Sequence, residues 1–237
     1  MAMVTLTIDG REVTVEAGTS VLHAAESMGI EIPQLCYLKG VEGTGGRCRM
    51  CLVEIERAKT LQTACTAPVG NGMVVHTDSE KVRLARKTVL ELFLSNHRTD
   101  CLNCEKNGEC KLQEYAYEYG ADSEKYGVFH KSPELDETNP FIQRDLSKCI
   151  LCGRCSAVCQ EVQGMSAIGF VGRGYDTQVR PPHGEPLENS TCVFCGNCVQ
   201  VCPVGALTPK QSIGKGRTWE IQKIDTVCPY CGTGCMI

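Results

Sequence analysis

The chain has 237 residues, which is enough for one large domain or several small ones. It contains 18 cysteines but only one Trp and five Phe, so we expect small domains that depend on bound metal for their folding. The net charge of −4 gives no reason to expect a nucleic-acid partner.

The arrangement of the cysteines favours metal binding over disulfide bonds. Most of them occur in C-x-x-C groups, which suit a metal site better than the long loops that disulfides close. The N-terminus lacks the basic and apolar regions of a signal peptide, and no apolar segment approaches the length that spans a membrane. We therefore expect a cytoplasmic protein without a membrane span.

Residues 1–78 are predicted to form a β-grasp domain. Two alternating segments flank an Asp-Gly pair at residues 9–10, which is a strong signal for a type I′ hairpin. Thr19 or Ser20 can cap the helix that follows. The next strand is predicted at residues 52–55.

Four cysteines in this first domain predict a [2Fe–2S] site. The segment 43–46, Gly-Thr-Gly-Gly, lets the backbone approach a buried group closely. The spacing differs from the plant-type C-x4-C-x2-C run because the first gap is longer, and a structural zinc site is the alternative. The candidate ligands are Cys36, Cys48, Cys51 and Cys65.

A small helical domain is predicted at residues 79–120. Thr77 and Glu80 match the capping-box pattern, and apolar residues then recur at helical spacing, with Arg86 among the basic residues of the predicted exposed face. A Tyr-rich segment from residue 111 predicts a second helix. Between them lies H-x3-C-x2-C-x5-C, for which a zinc site is one interpretation. Its candidate ligands are His97, Cys101, Cys104 and Cys110.

Residues 121–144 are predicted to be an extended linker, and residues 145–212 a ferredoxin-like domain. That domain contains C-x2-C-x2-C-x3-C twice, the run in which the fourth Cys ligates the other of two [4Fe–4S] clusters. Paired zinc knuckles or a disulfide framework are the alternatives. Residues 165–191 are predicted to be an insertion with a short hairpin. One predicted ligand set is Cys149, Cys152, Cys155 and Cys202, and the other is Cys159, Cys192, Cys195 and Cys198.

The C-terminal segment, residues 213–237, contains a predicted strand at residues 217–224 and three further cysteines, Cys228, Cys231 and Cys235. Their spacing resembles the first three ligands of the [4Fe–4S] site at the start of molybdopterin oxidoreductases, formate dehydrogenases above all. In that family a fourth cysteine lies downstream. Here no cysteine follows Cys235, so the fourth ligand is missing from this chain or comes from a partner, or the site is empty and the segment is a vestigial, flexible tail.

The order of these motifs resembles that of one superfamily. It is similar to the large iron–sulfur subunit of respiratory complex I, the N-terminal part of NAD-dependent formate dehydrogenase catalytic subunits, the diaphorase iron–sulfur subunit of NAD-linked [NiFe] hydrogenases, and [FeFe] hydrogenases. The resemblance implies an α+β multi-domain protein with one [2Fe–2S] and three [4Fe–4S] clusters, and a fourth [4Fe–4S] cluster at the C-terminal cysteines. It also implies that His97 and its three cysteines hold one of the [4Fe–4S] clusters.

The sequence predicts electron transfer without catalysis. It has no G-x-G-x-x-G followed by a βαβ unit, and no region for a molybdopterin or a hydrogen-activating cluster, so no catalytic residue is predicted. We expect an electron-transfer subunit between a flavin- and NAD(P)-binding subunit and a hydrogenase or formate dehydrogenase catalytic subunit. Ferredoxin is a third partner if the complex bifurcates electrons. A complete chain favours the hydrogenase, and a fragment favours the formate dehydrogenase.

Two other functions stay open at this point. A zinc-stapled assembly protein would be colourless, whereas an iron–sulfur protein is brown. A free soluble carrier would need few clusters and would purify without other subunits.

Overall fold

The computed structural model describes residues 2–127, 135–222, 224–229 and 232–236. The candidate ligand Cys231 and residues 128–134 of the predicted linker lie outside these ranges. In the described part of the chain the α-helices are α1 Val21–Ser27, α2 Glu80–Asn96, α3 Lys111–Glu118, α4 Arg154–Ala157 and α5 Asn197–Gln200. The strands are β1 Met3–Ile8, β2 Arg11–Glu16, β3 Leu52–Ile55, β4 Gln62–Thr63, β5 Val74–His76, β6 Leu135–Asp136, β7 Ile142–Asp145, β8 Gly169–Val171, β9 Gln178–Arg180 and β10 Leu207–Pro209.

Short helical turns complete the secondary structure. A π-helical turn, Val158–Val162, continues α4. The 3-10 turns are Cys101–Asn103, Leu146–Lys148, Gly174–Asp176, Pro182–Gly184, Leu187–Asn189 and Lys210–Ser212.

The N-terminal sheet has the strand order β2-β1-β5-β3-β4. Strands β1 and β2 form the predicted hairpin, and both turn residues, Asp9 and Gly10, have positive φ angles of 46° and 79°. Strand β5 is parallel to β1, which closes the sheet around α1. Ser20 is the N-cap of α1, because its side chain accepts a hydrogen bond from the His23 N–H. The predicted hairpin, helix and third strand are therefore confirmed.

Helix α2 begins differently from the prediction. Ser79, not Thr77, is its N-cap, and the Ser79 hydroxyl accepts a hydrogen bond from the Val82 N–H. Thr77 instead donates its N–H and its hydroxyl to the carboxylate of Asp9 in the first hairpin. The predicted capping box is wrong because Thr77, which the local pattern assigned to the start of the helix, forms its hydrogen bonds with a carboxylate that is distant in the sequence.

The helical pattern also predicts the wrong environment for Arg86 of α2. The pattern puts it on the exposed face, but its side chain is only 2% exposed. Its guanidinium donates hydrogen bonds to the carbonyl oxygens of Leu52 and Thr77 and to the Tyr119 hydroxyl. Arg86 therefore joins α2 to the N-terminal sheet and to the end of the Tyr-rich helix α3, whose predicted position is confirmed.

The second half of the chain contains a three-stranded sheet of order β10-β7-β6. Strands β6 and β7 lie within or at the end of residues 121–144, the segment predicted as a linker. Because β7 pairs with β6 and with β10 of the ferredoxin-like module, this segment is part of that module's sheet and not only a connection. The predicted short hairpin within residues 165–191 is confirmed by β8 and β9. The domain boundaries themselves stay a prediction.

The predicted strand at residues 217–224 is wrong for the residues that the structure describes, which form turns and bends. The Arg217 N–H donates to the Glu220 carboxylate, and the Glu220 N–H donates to the Arg217 carbonyl, so the chain closes a turn there. Within the described ranges no helix is long and apolar enough to cross a membrane.

One hydrophobic core connects the modules. It contains residues from the loop before β3, from α2 and α3, and from both ends of the ferredoxin-like module. Its buried members include three cysteines, Cys36, Cys48 and Cys152, and three more, Cys110, Cys149 and Cys202, pack against it. Candidate metal ligands from three of the predicted sets therefore share one apolar core.

Candidate metal centres

The cysteines of the N-terminal domain form two close pairs. Cys48 and Cys36 are joined by a hydrogen bond, and the thiols of Cys51 and Cys65 lie 3.3 Å apart. Pairing of thiols two by two fits a centre with two irons, each held by two thiolates. The loop between Cys36 and Cys48 passes very close to a sulfur of the other pair, because a Cβ added at Gly45 (φ 92°) would lie 3.3 Å from Cys65 Sγ.

Backbone N–H groups point at three of these sulfurs, and the Leu35 N–H donates to Cys48 Sγ at 3.4 Å. The Cys48 N–H donates to Cys36 Sγ at 3.3 Å, and the Gly46 N–H donates to Cys65 Sγ at 3.2 Å. The pKa of Cys36 is lowered to about 5, mainly by the hydrogen bond from the Cys48 thiol and also by backbone N–H groups. The pKa of Cys65 is lowered to about 7 by the Cys51 thiol and the Gly46 N–H, against burial. The backbone donors stabilise thiolate, the form that binds metal, at Cys36 and Cys65, whereas the hydrogen bonds to these sulfurs and burial raise the pKa values of Cys48 and Cys51.

The His97 motif follows α2 directly. His97 is the C-cap residue of α2 and is buried, and Cys110 is the N-cap residue of α3, so the ends of two packed helices enclose the motif. Burial raises the pKa values of Cys101 and Cys110, and the nearby thiol of Cys104 raises them further. The structure thus brings the three thiols close together at the end of the helix that carries His97.

The first ferredoxin-like set lines one cavity. This cavity has a volume of about 30 Å³ and is lined by apolar side chains such as Ile168 and Val179. The cysteines that surround it are Cys149, Cys152, Cys155 and Cys202. Cys202 comes from the second motif, so the predicted crossing of the fourth cysteine brings these four residues together. Burial raises the pKa of Cys152 to about 12.

The second set lines a separate cavity. This cavity has a volume of about 20 Å³, and its wall contains Cys159, Cys192, Cys195 and Cys198. Cys159 comes from the first motif and accepts a hydrogen bond from the Ala167 N–H at 3.3 Å. Burial raises the pKa of Cys198 to about 12. Each cavity is therefore lined by three cysteines of one motif and one of the other.

The two motif loops share one backbone conformation. In the first loop Leu151 and Gly153 have φ angles of 55° and 77°, and in the second Phe194 and Gly196 have 57° and 79°. A left-handed residue directly before the second cysteine is rare outside glycine, and the spacing alone did not reveal it. The repeated conformation turns each loop inward at the same place, which is why both wrap a cavity.

The described C-terminal cysteines lie at the surface. The Cys228 N–H donates to the Cys235 carbonyl, and Val227 pairs with Met236, so the two ends of the motif meet. Cys228 is half-buried and Cys235 is exposed. Because Cys231 is not described, this ligand set stays a prediction.

The donor sets fit polynuclear iron–sulfur groups. Two sets of four cysteines line apolar cavities, and a third set of four is paired two by two. Thiolates that face such a space match the four-cysteine ligation of [4Fe–4S] and [2Fe–2S] clusters.

Arginines around the motifs are the residues that sequence reasoning missed. Arg154 lies within the first ferredoxin-like motif, and its Nη2 donates to the Tyr37 carbonyl at 2.8 Å. Arg217 donates to the carbonyl oxygens of Leu102 and Cys104 in the His97 motif. Their only signal in the sequence is proximity to a cysteine motif, because the contacts span more than 100 residues.

Family models match three segments of the chain. Residues 1–80 match the 2Fe-2S iron-sulfur cluster binding domain, and residues 86–125 match the NADH-ubiquinone oxidoreductase-G iron-sulfur binding region. Residues 139–208 match the ferredoxin-like domain of NADH-quinone oxidoreductase subunit 3. Domains that bind 2Fe-2S and 4Fe-4S clusters are therefore present.

A solved structure decides the family. A chain of an NAD+-reducing [NiFe]-hydrogenase in the H2-reduced state superposes with a TM-score of 0.81 at 31% identity, and the match covers 88% of each chain. This chain belongs to the family of iron–sulfur proteins that this hydrogenase chain shares with the 78 kDa subunit of NADH-ubiquinone oxidoreductases. The resemblance predicted from the motifs is confirmed.

Curated members of this iron–sulfur family are longer than the chain. NADPH-Fe(3+) oxidoreductase subunit alpha of Geobacter sulfurreducens is 44% identical over 99% of this chain and 27% of its own length. The mitochondrial NADH-ubiquinone oxidoreductase 78 kDa subunit of Candida albicans is 41% identical over 96% of this chain and 31% of its own length. NADP-reducing hydrogenase subunit HndD of Solidesulfovibrio fructosivorans is 40% identical over 93% of this chain and 38% of its own length. The chain thus spans about a quarter to two fifths of these relatives.

Proposed function

We propose that the chain is an iron–sulfur relay that carries electrons between an NAD(P)-handling flavin subunit and a hydrogenase catalytic subunit. The observation that supports this most is the pair of cavities lined by crossed sets of cysteines, the first of which borders a core that also contains N-terminal cysteines. A chain with several such sets in one core is suited to conducting electrons through its interior. The proposed inventory is one [2Fe–2S] cluster, three [4Fe–4S] clusters, and a fourth at Cys228, Cys231 and Cys235.

The residues of the chain have three roles in this proposal. Bound iron–sulfur groups supply reversible one-electron chemistry at low potential. The cysteines hold these groups, and backbone N–H donors such as those of Gly46 and Ala167 stabilise charge on the sulfurs. Apolar side chains such as Ile168 line the cavities and exclude water, which strengthens the electrostatic effect of each donor.

The names of relatives support the choice of partners. They include an NADP-reducing hydrogenase and an NAD+-reducing [NiFe]-hydrogenase, as well as NADH-ubiquinone oxidoreductases. A second candidate is an N-terminal part of an NAD-dependent molybdenum or tungsten formate dehydrogenase, which the C-terminal spacing favours. In either case we propose a multisubunit complex in the cytoplasm, with ferredoxin as a further partner if the complex bifurcates electrons.

Metal content tests the relay. Anaerobically purified protein should contain about fourteen iron atoms per chain from one binuclear and three tetranuclear clusters, and about eighteen if the C-terminal site is also filled. Matching acid-labile sulfide and a brown colour are expected. Colourless protein with zinc in place of iron would contradict the proposal and would favour the zinc-stapled assembly protein.

Co-purification tests the partners. A tagged chain should retain a flavin-containing subunit, and the extract should reduce an artificial acceptor with dihydrogen and NAD(P)H. Reduction with formate but not with dihydrogen would favour the formate dehydrogenase. Purification of a loaded chain without any other subunit, under several salt conditions, would favour a free soluble carrier.

A further inference from the structure

Arg154 joins the loops of two candidate centres. It lies in the sequence Cys152-Gly153-Arg154-Cys155, between two cysteines of the first ferredoxin-like set. Its Nη2 donates a hydrogen bond of 2.8 Å to the carbonyl of Tyr37, the residue that follows Cys36. One side chain therefore spans from the wall of the first cavity to the loop that carries the N-terminal cysteines.

The guanidinium of Arg154 is partly removed from water. Its Nε is buried and has no hydrogen-bond partner among the residues that the structure describes. On its outer side the residue borders an open groove that also contains the carboxylates of Glu26, Glu31, Glu114 and Glu118. A positive charge that is shielded from water acts strongly on nearby groups, because the effective dielectric constant is lower there.

A second arginine reinforces the same junction from the other side. Arg47 precedes Cys48, and its guanidinium lies 5.4 Å from the centre of the Phe170 ring. A Cβ at Gly153 would lie 2.9 Å from Arg47 Nη1, so the two loops approach as closely as a residue without a side chain allows. The loop before Cys48 and the loop around Gly153 are therefore in direct contact, and Arg154 contributes the hydrogen bond that joins them.

We infer that Arg154 is a positioning residue that joins the [2Fe–2S] loop to the first [4Fe–4S] loop and raises the reduction potentials of both groups. This inference rests on the proposed electron-relay function. A cation beside a cluster stabilises the added electron, and both net charge and hydrogen bonding set cluster potentials.

The test is a redox titration of the cluster-loaded protein, followed by EPR. In Arg154→Gln, the reduced fractions of the [2Fe–2S] group and of one [4Fe–4S] group should fall about tenfold relative to their oxidised fractions at a fixed potential, which corresponds to about 59 mV for one electron. Arg173→Gln removes an exposed arginine of the β8–β9 turn and the same net charge, so it should leave both potentials unchanged. Unchanged potentials in a fully loaded Arg154→Gln protein would overturn the inference.

Arg154→Lys keeps the inference testable if the glutamine variant does not load with iron. Lysine retains a charge beside Cys155, but its shorter side chain has no fork to reach the Tyr37 carbonyl. The [4Fe–4S] potential should stay near the wild-type value while the [2Fe–2S] potential falls. A lysine variant with wild-type potentials at both groups would also overturn the inference. A wild-type protein without iron would instead contradict the relay function itself, so the two failures are distinguishable.

Discussion

Gly205 lies directly against the sulfur of Cys104. A Cβ at residue 205 would overlap Cys104 Sγ, and it would also lie 3.5 Å from Cβ of Lys106. The contact joins the ferredoxin-like module to the His97 motif, and the Lys111 N–H donates to the Pro203 carbonyl beside it. The glycine is required here by close approach and not by a left-handed backbone.

We expect Gly205→Ala to disturb the His97 centre selectively. The added methyl group must displace Cys104 or the backbone, an overpacking that costs about 1–3 kcal/mol. The variant should lose the EPR signal of one [4Fe–4S] group and retain the others. Gly169→Ala is the matched control, because a Cβ at Gly169 meets nothing within 4 Å. Equal iron content and equal spectra in both variants would contradict the proposed importance of the contact.

His97 should act as a ligand of its centre. A neutral imidazole gives the iron less negative charge than a thiolate does, so His97→Cys should retain a cluster and lower its potential. His97→Ala should weaken or lose it, which iron analysis and EPR can measure. His76→Ala, at a half-exposed histidine paired with Glu56, should change neither. The ligand assignment is wrong if His97→Ala leaves the iron content and the spectrum unchanged.

The crossing of the fourth cysteines can be tested by comparing serine variants. Cys202 belongs to the second motif but lines the cavity of the first. Cys202→Ser should therefore remove the same EPR signal as Cys149→Ser, with a loss of about four iron atoms per chain if the cluster does not assemble. Cys198→Ser should remove the other signal. If Cys202→Ser and Cys198→Ser affected one common signal, the two ligand sets would not be crossed.

Arg86 should contribute strongly to stability, although it lies on a helix with several other basic residues. Its replacement by Met leaves a buried carbonyl oxygen of Thr77 and a partly buried one of Leu52 without their donor, and the expected loss in the free energy of unfolding is about 3 kcal/mol. Thermal unfolding of the loaded protein measures the change. Arg83→Met is the control, because Arg83 is half-exposed and pairs with an exposed carboxylate. Equal melting temperatures of the two variants would contradict the structural role of Arg86.

Local patterns predicted most of the secondary structure in the first half of the chain. The Asp-Gly turn, the cap at Ser20 and the Tyr-rich helix depend on residues close together in the chain, and each is present. The predictions failed where a distant partner intervened. The carboxylate of Asp9 accepts a hydrogen bond from the Thr77 hydroxyl. The guanidinium of Arg86 donates to the Leu52 carbonyl in the sheet and to the Tyr119 hydroxyl.

The sequence by itself determined two groups of four cysteines that the structure places around two cavities. The repeated spacing of the two ferredoxin-like motifs predicted both crossed sets, because a short loop with this spacing can present three thiols to one group and the fourth to its neighbour. The order of the motifs was also sufficient to predict the family.

Only the tertiary structure decided how these sets are joined. The link from Arg154 to Tyr37 and the contact of Gly205 with Cys104 connect residues about 100 or more positions apart, and no local pattern encodes them. Such contacts arise when separate modules pack around one apolar core, so their geometry depends on the shapes of all the packed elements. Spacing within the chain predicts the candidate ligands, and packing between modules decides what surrounds them.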